Sequence, residues 1–160
     1  ISSQHVGQVV HAKVQSGEAK DPKLLPLFRQ KDASGKTLGY IYAVTGKGLW
    51  PTLYGYLAVK PDGSEVIGIA FYKHGETPGL GAEIEQPWFT NNYVGKQIYK
   101  DGKIEGIEVV KGKVADKSGI DTAHAVDGMS GATLTGNGVT KLSKTEPAKY
   151  ANFFKKNGGR

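Results

Sequence analysis

At 160 residues, with 38% hydrophobic and 22% charged residues, the chain suits one globular domain with a proper core and is too short for two ordinary ones. It contains no cysteine, which excludes disulfides, iron–sulfur ligation and thiol catalysis, and no apolar run approaches the ~20 residues of a membrane-spanning helix. The formal charge of +6 comes from scattered lysines, with Arg29 and Arg160 as the arginines, so the basic surface reads as solvated and no nucleic-acid partner is expected.

The chain opens on Ile1 rather than Met, and an N-terminal piece that would carry any signal or anchor is expected to have been removed. Residues 1–23 mix Val, Gln, His and Lys, and the spacing of Val6, Val9, Val10 and Val14 fits either strand or short helix. Leu24 to Gln30 and Leu38 to Val44, joined by the turn Asp32-Ala33-Ser34-Gly35, read as a hairpin. Thr45-Gly46-Lys47-Gly48 reads as a loop, Thr52 to Val59 as a third strand, Pro61-Asp62-Gly63-Ser64 as a turn, and Val66 to Lys73 as a fourth strand. His74 to Ala82 is a Gly/Pro-rich loop, and Glu83 to Tyr93 predicts a short helix interrupted by Pro87. β-Branched residues from Ile104 to Val110 predict a fifth strand, residues 111–126 carry no period, and Leu134 to Phe154 predicts a final helix. Strands grouped before helices give the expected fold class, α+β, with a largely antiparallel twisted sheet and flanking helices.

Asp127-Gly128-Met129-Ser130-Gly131-Ala132-Thr133 places small residues and two hydroxyls behind one carboxylate. Glycines let backbone N–H groups converge on an anion such as phosphate, and the helix that follows adds partial positive charge at the same spot. One alternative is a serine hydrolase using Ser130, because Gly128-Met129-Ser130-Gly131-Ala132 nearly spells a nucleophile elbow with His124 and Asp127 close in sequence. Against it, Ala132 replaces the last glycine and no clear apolar strand precedes Ser130. Asp127 suits bracing its own turn. Gly75-Glu76-Thr77-Pro78-Gly79-Leu80-Gly81 offers backbone that can lie against a planar ligand, with Thr77 and Leu80 as polar and apolar contacts. Gly48-Leu49-Trp50 sits in a loop where an indole can cover a ligand. His5, His11, His74 and His124 have no metal-ligand spacing, and no metal is expected.

These stretches resemble the covalent FMN-binding domain family, and within it the C subunits of bacterial sodium-translocating NADH:quinone oxidoreductases. The run from Asp127 to Thr133 is similar to the family's flavinylation motif, Gly75 to Gly81 to its flavin loop, and Gly46-Lys47-Gly48-Leu49-Trp50 with Tyr54-Gly55 to its upstream signature. The resemblance implies FMN held covalently by a phosphoester on Thr133. Ser130 and Thr135 become supporting hydroxyls, Gly131 and Ala132 clear space for the phosphate, and Asp127 is the motif acid. Leu49, Trp50, Glu76, Thr77, Gly79, Leu80 and Gly81 complete the implied cofactor set.

It further implies a separate flavin transferase using FAD and magnesium to make the bond. It also implies electron transfer within a sodium-pumping NADH:quinone oxidoreductase complex, no catalytic residue in the isolated domain, and other subunits of that complex as partners. The whole of 1–160 would be one FMN-binding domain, with 1–23 an extension after an N-terminal membrane anchor. The domain would lie on the periplasmic side of the inner membrane. The homologous G subunit of the Rnf electron-transport complex shares the flavinylation motif. Lys47-Gly48-Leu49-Trp50 and Glu85-Gln86-Pro87-Trp88 look more like the quinone-reductase subunit.

Overall fold

Five strands pair in the order in which the chain makes them: β1 (Gly7–Val14), β2 (Lys23–Lys31), β3 (Thr37–Lys47), β4 (Thr52–Val59) and β5 (Val66–Lys73). Every pairing is antiparallel. The computed structural model describes residues 7–14 and 23–157. Residues 1–6, 15–22 and 158–160 lie outside the described residues, and with them His5, Arg160 and much of the ambiguous N-terminal segment. Where that segment is described it is strand, paired with β2 from Gly7 opposite Gln30 to Val14 opposite Lys23.

Side-chain chemistry closes the turns. Asp32 Oδ1 accepts from the N–H groups of Ser34 (2.9 Å) and Lys36 (3.0 Å), and Asp62 Oδ1 accepts from Ser64 N–H (3.0 Å), so two short carboxylates stand in for missing ladder partners. β3 runs further than expected. Gly46 and Lys47, assigned from sequence to a loop, pair with Leu53 and Thr52, and the connection shrinks to Gly48–Pro51 with Gly48 N–H donating to the Pro51 carbonyl.

One face of the sheet is the core. Tyr40, Tyr42 and Val44 of β3, Leu53, Leu57 and Val59 of β4, and Val66, Ile69 and Phe71 of β5 are buried. Beyond β5 the chain makes a 3-10 turn at Gly81–Glu85, the short helix α1 (Pro87–Thr90) and a 3-10 turn at Asn91–Tyr93. The single helix predicted over Glu83 to Tyr93 is therefore three pieces, because Pro87 has no N–H to continue a turn and instead opens a new one.

The two-residue strands β6 (Tyr99–Lys100), β7 (Lys103–Ile104), β8 (Glu108–Val109) and β9 (Ala125–Val126) follow, then helices α2 (Thr133–Ala148) and α3 (Ala151–Asn157). A continuous fifth strand over Ile104 to Val110 does not form. Its backbone has other partners: Ile107 N–H donates to Ser143 Oγ (2.8 Å), Val109 N–H donates to Thr140 Oγ1 (2.9 Å), and β8 pairs in parallel with β9. Hydroxyls on α2 thus take the place of a neighbouring strand.

The predicted final helix breaks as well. Pro147 sits in the last turn of α2, and the chain restarts as α3 after Lys149 and Tyr150. The break lets Tyr150 stack on Tyr42 with ring centroids 4.2 Å apart, while Phe153 and Phe154 meet Tyr40 edge-on at 5.1 and 5.6 Å. Such aromatic pairs contribute about 0.5–1.5 kcal/mol each beyond burial. Among the described residues no helix is long and apolar enough to cross a membrane.

α2 lies close on the end of β3 because Gly138 lets it. A Cβ there would run into the Lys47 carbonyl, so a helix-weakening residue costing about 1 kcal/mol relative to Ala is placed where only hydrogen fits. One turn on, Leu142 is buried against Gly46. Leu142→Ala is expected to destabilise the domain by about 2–5 kcal/mol through lost transfer energy and a residual cavity, read as a lower urea midpoint with unchanged slope.

Candidate functional site

Three segments distant in sequence meet at one carboxylate. Glu76 follows β5, is 8% exposed, and accepts through Oε1 from the Leu49 N–H of the β3–β4 connection (3.1 Å). Its Oε2 accepts from the Thr135 hydroxyl in the first turn of α2. Gly48 and Gly81 make room for it: a Cβ on Gly48 would strike Oε1, and one on Gly81 would lie 2.5 Å from both Oε2 and Thr135 Oγ1. Both carboxyl oxygens are thus engaged by neutral groups. The Glu76 N–H in turn donates to His74 Nδ1 (3.1 Å), which leaves the ring proton on Nε2, 2.7 Å from Glu85 Oε1.

Around this node lies a cleft of about 240 Å³. The loop after β5 contributes Glu76, Thr77, Leu80 and Gly81, the start of α2 Gly131 to Thr135, and the β3–β4 connection Leu49. Thr77, Pro78 and Gly79 form a tight turn in which Leu80 N–H returns to the Thr77 carbonyl at 3.1 Å and Gly79 has φ 72°. That turn brings Leu80 over Gly131, whose positive φ of 68° starts the approach to α2. The rim is apolar and open: Leu49, Leu80 and Leu134 are 39%, 42% and 59% exposed. A planar ligand would lie across these side chains rather than be enclosed.

Thr133 is the first residue of α2 and is exposed. It borders this cleft and also a second hollow of about 170 Å³, which Lys111, Met129 and Asn137 help to line. The residue therefore stands on a ridge between two concavities. In a helix opening at Thr133 the N–H groups of Thr133, Leu134 and Thr135 have no carbonyl one turn back, and the first such bond runs from Gly136 N–H to the Ala132 carbonyl at 3.0 Å. Unpaired donors and the helix dipole make this a place for an anion.

The structure thus gathers Leu49, Glu76, Thr77, Leu80, Gly81, Gly131, Ala132, Thr133 and Thr135 around one cleft. It does not gather all the expected residues. Trp50 is 82% exposed outside the cleft, Gly79 is the turn apex, and Ser130 is exposed beside the cleft without lining it. Asp127 braces a different turn from its own, accepting from Val114 N–H at 2.8 Å. His124 Nδ1 contacts the Gly106 carbonyl at 3.0 Å and His74 serves Glu76, so neither equips Ser130 as a nucleophile. Leu134, Lys111 and Asn137 escaped the sequence reading. The signal available for Asn137 is its position four residues after Thr133, on the same helix face.

A family model for the FMN-binding domain matches residues 48–145. The chain belongs to the FMN-binding domain family. The matched span covers the β3–β4 connection, the loop of Glu76 and most of α2, which are the three segments that build the cleft. The C subunit of the Na(+)-translocating NADH-quinone reductase of Yersinia pestis is 40% identical over 124 residues, 78% of this chain and 45% of that protein. The corresponding protein of Pseudomonas aeruginosa is 45% identical over 111 residues, 69% of this chain and 42% of that protein. The chain therefore spans less than half the length of these relatives.

Solved structures agree on the architecture of this FMN-binding domain. The crystal structure of Shewanella oneidensis NqrC superposes with a TM-score of 0.76 at 35% identity, covering 94% of this chain and 70% of that one. The crystal structure of the C subunit of the Na(+)-translocating NADH-quinone reductase from Parabacteroides distasonis superposes with a TM-score of 0.72 at 38% identity, covering 82% of this chain and 63% of that one. The α+β architecture, with its antiparallel sheet and flanking helices, is thus shared with both solved structures.

Proposed function

We propose that this chain is the FMN-carrying domain of the C subunit of a sodium-translocating NADH:quinone oxidoreductase, with FMN held through a phosphoester on the Thr133 hydroxyl. The observation that carries this reading is the exposed Thr133 hydroxyl at the first turn of α2, beside unpaired N–H donors and an apolar cleft inside the FMN-binding match. The residues fit the group. A phosphate ester on Thr133 would face the N–H groups that lack helical partners, and a planar ring would find Leu49, Leu80 and Leu134.

Bound there, FMN supplies reversible electron transfer, and the chain's own part is to hold, orient and tune. Thr135 has no share in the attachment, because it is 2% exposed and its proton goes to Glu76. Thr133 needs no neighbouring base when a separate flavin transferase, drawing on FAD and magnesium, makes the bond. The names of the relatives support other subunits of a membrane oxidoreductase as partners. We further propose, on the motif resemblance alone, that the domain lies on the periplasmic face of the inner membrane and is reached through an N-terminal anchor.

Coexpression with a flavin transferase followed by intact mass under denaturing conditions tests the reading. One FMN less one water is expected on the chain. An unmodified mass from a culture in which a known acceptor domain is flavinylated overturns it.

A further inference from the structure

Glu76 is the one charged side chain lining this cleft among the described residues, and in a chain of net charge +6 that charge is negative. It is 8% exposed and held by neutral donors, the Leu49 N–H and the Thr135 hydroxyl. None of the ion pairs formed by the described residues includes it. Burial of a carboxylate is costly, and hydrogen bonds from neutral groups spread its charge without cancelling it. The fold accommodates that cost with two glycines whose Cβ atoms would displace the carboxylate. A group kept only to tie three segments together would do so at lower cost as an amide, which can accept from Leu49 N–H and donate to the Thr135 oxygen.

We propose that the Glu76 carboxylate is a potential-setting residue, lowering the reduction potential of the redox group carried in the cleft. This rests on the reading that FMN occupies the site. An electron that arrives without a proton adds one negative charge to the cleft, and a buried carboxylate outside any ion pair, itself shielded from water, lines the same cleft and opposes it. The redox group therefore passes its electrons on more readily than it would in a neutral cleft. Thr135 moderates the effect, since its hydroxyl donates to the charged oxygen.

Spectroelectrochemical titration of the flavinylated domain with dithionite as reductant tests the inference on two variants. Glu76→Gln retains both contacts and removes the charge, and its oxidised-to-reduced equilibrium shifts at least tenfold toward reduced, about 30 mV for a two-electron couple. Thr135→Val retains the charge and removes a donor, and its equilibrium shifts the opposite way. A general loosening of the site moves both variants in the same direction, so that result overturns the inference, as does an unchanged potential in Glu76→Gln. A variant that fails to fold shows itself in its urea transition, and the other then carries the test by the sign of its shift. Wild-type chain that gains no FMN by intact mass overturns the underlying reading instead, before any potential is measured.

Discussion

Thr133→Ala coexpressed with a flavin transferase is expected to emerge with no FMN adduct at all, against a fully shifted mass for the parent chain. Three hydroxyls crowd the start of α2, at Ser130, Thr133 and Thr135, and tertiary contacts separate them. Thr135 is buried and spends its proton on Glu76. Ser130 is exposed but does not line the cleft. Thr133 is exposed, borders both hollows and sits where helical N–H groups are unpaired. Ser130→Ala therefore keeps the adduct. The folded state of Thr133→Ala should be unperturbed, because an exposed methyl-and-hydroxyl group is removed and Ala is a good helix former. An adduct persisting in Thr133→Ala, or vanishing in Ser130→Ala alone, transfers the site to Ser130.

Gly81→Val is expected to cost about 3 kcal/mol or more, measured by urea denaturation of the unflavinylated domain. Even its Cβ would stand 2.5 Å from Glu76 Oε2 and Thr135 Oγ1, and the branches add further bulk. The carboxylate must then leave its two donors or the loop must leave α2. Hydrogen bonds to charged groups contribute about 1.5–3 kcal/mol each, and a buried carboxylate stripped of them is left unsatisfied. The same variant closes part of the cleft, so its flavinylation should fall along with its stability. Gly79→Ala, two residues away, is the control. Gly79 has φ 72° but open space where a Cβ would go, so the expected cost is the backbone penalty alone, about 1–2 kcal/mol, with the cleft intact. Equal losses for the two variants would show that loop strain, rather than the room Glu76 needs, is what Gly81 serves.

The contrast between these glycines marks how far the chain could be read before its fold was known. Both stand in Gly79-Leu80-Gly81, and local spacing treats them alike. Positive φ at Gly79 follows from its place after Pro78 in a tight turn, which is a local matter. The need for glycine at position 81 comes from Thr135, more than fifty residues later, and no local pattern contains it. The fifth strand failed for the same reason. β-Branched residues from Ile104 onward have the propensity for a strand, yet the backbone of Ile107 and Val109 is claimed by Ser143 and Thr140 of α2. Pro87 interrupts its predicted helix as its missing N–H requires, and Pro147, inside the span Leu134 to Phe154 predicted as one helix, sits in the last turn of α2 before the chain restarts as α3.

Hairpin turns, alternating strands and the glycine-rich entry to a helix are encoded by neighbours within a few residues, so the amino-acid order alone determined the antiparallel sheet, the α+β class and the three motifs of the FMN-binding family. Which hydroxyl faces a cleft, which carboxylate is buried beside it, and which glycines stand aside for that carboxylate are relations among segments that only the packed chain brings within hydrogen-bond reach. Leu49, Glu76 and Thr135 are separated in sequence and joined in space, and their hydrogen bonds exist only once α2 has docked on the end of β3.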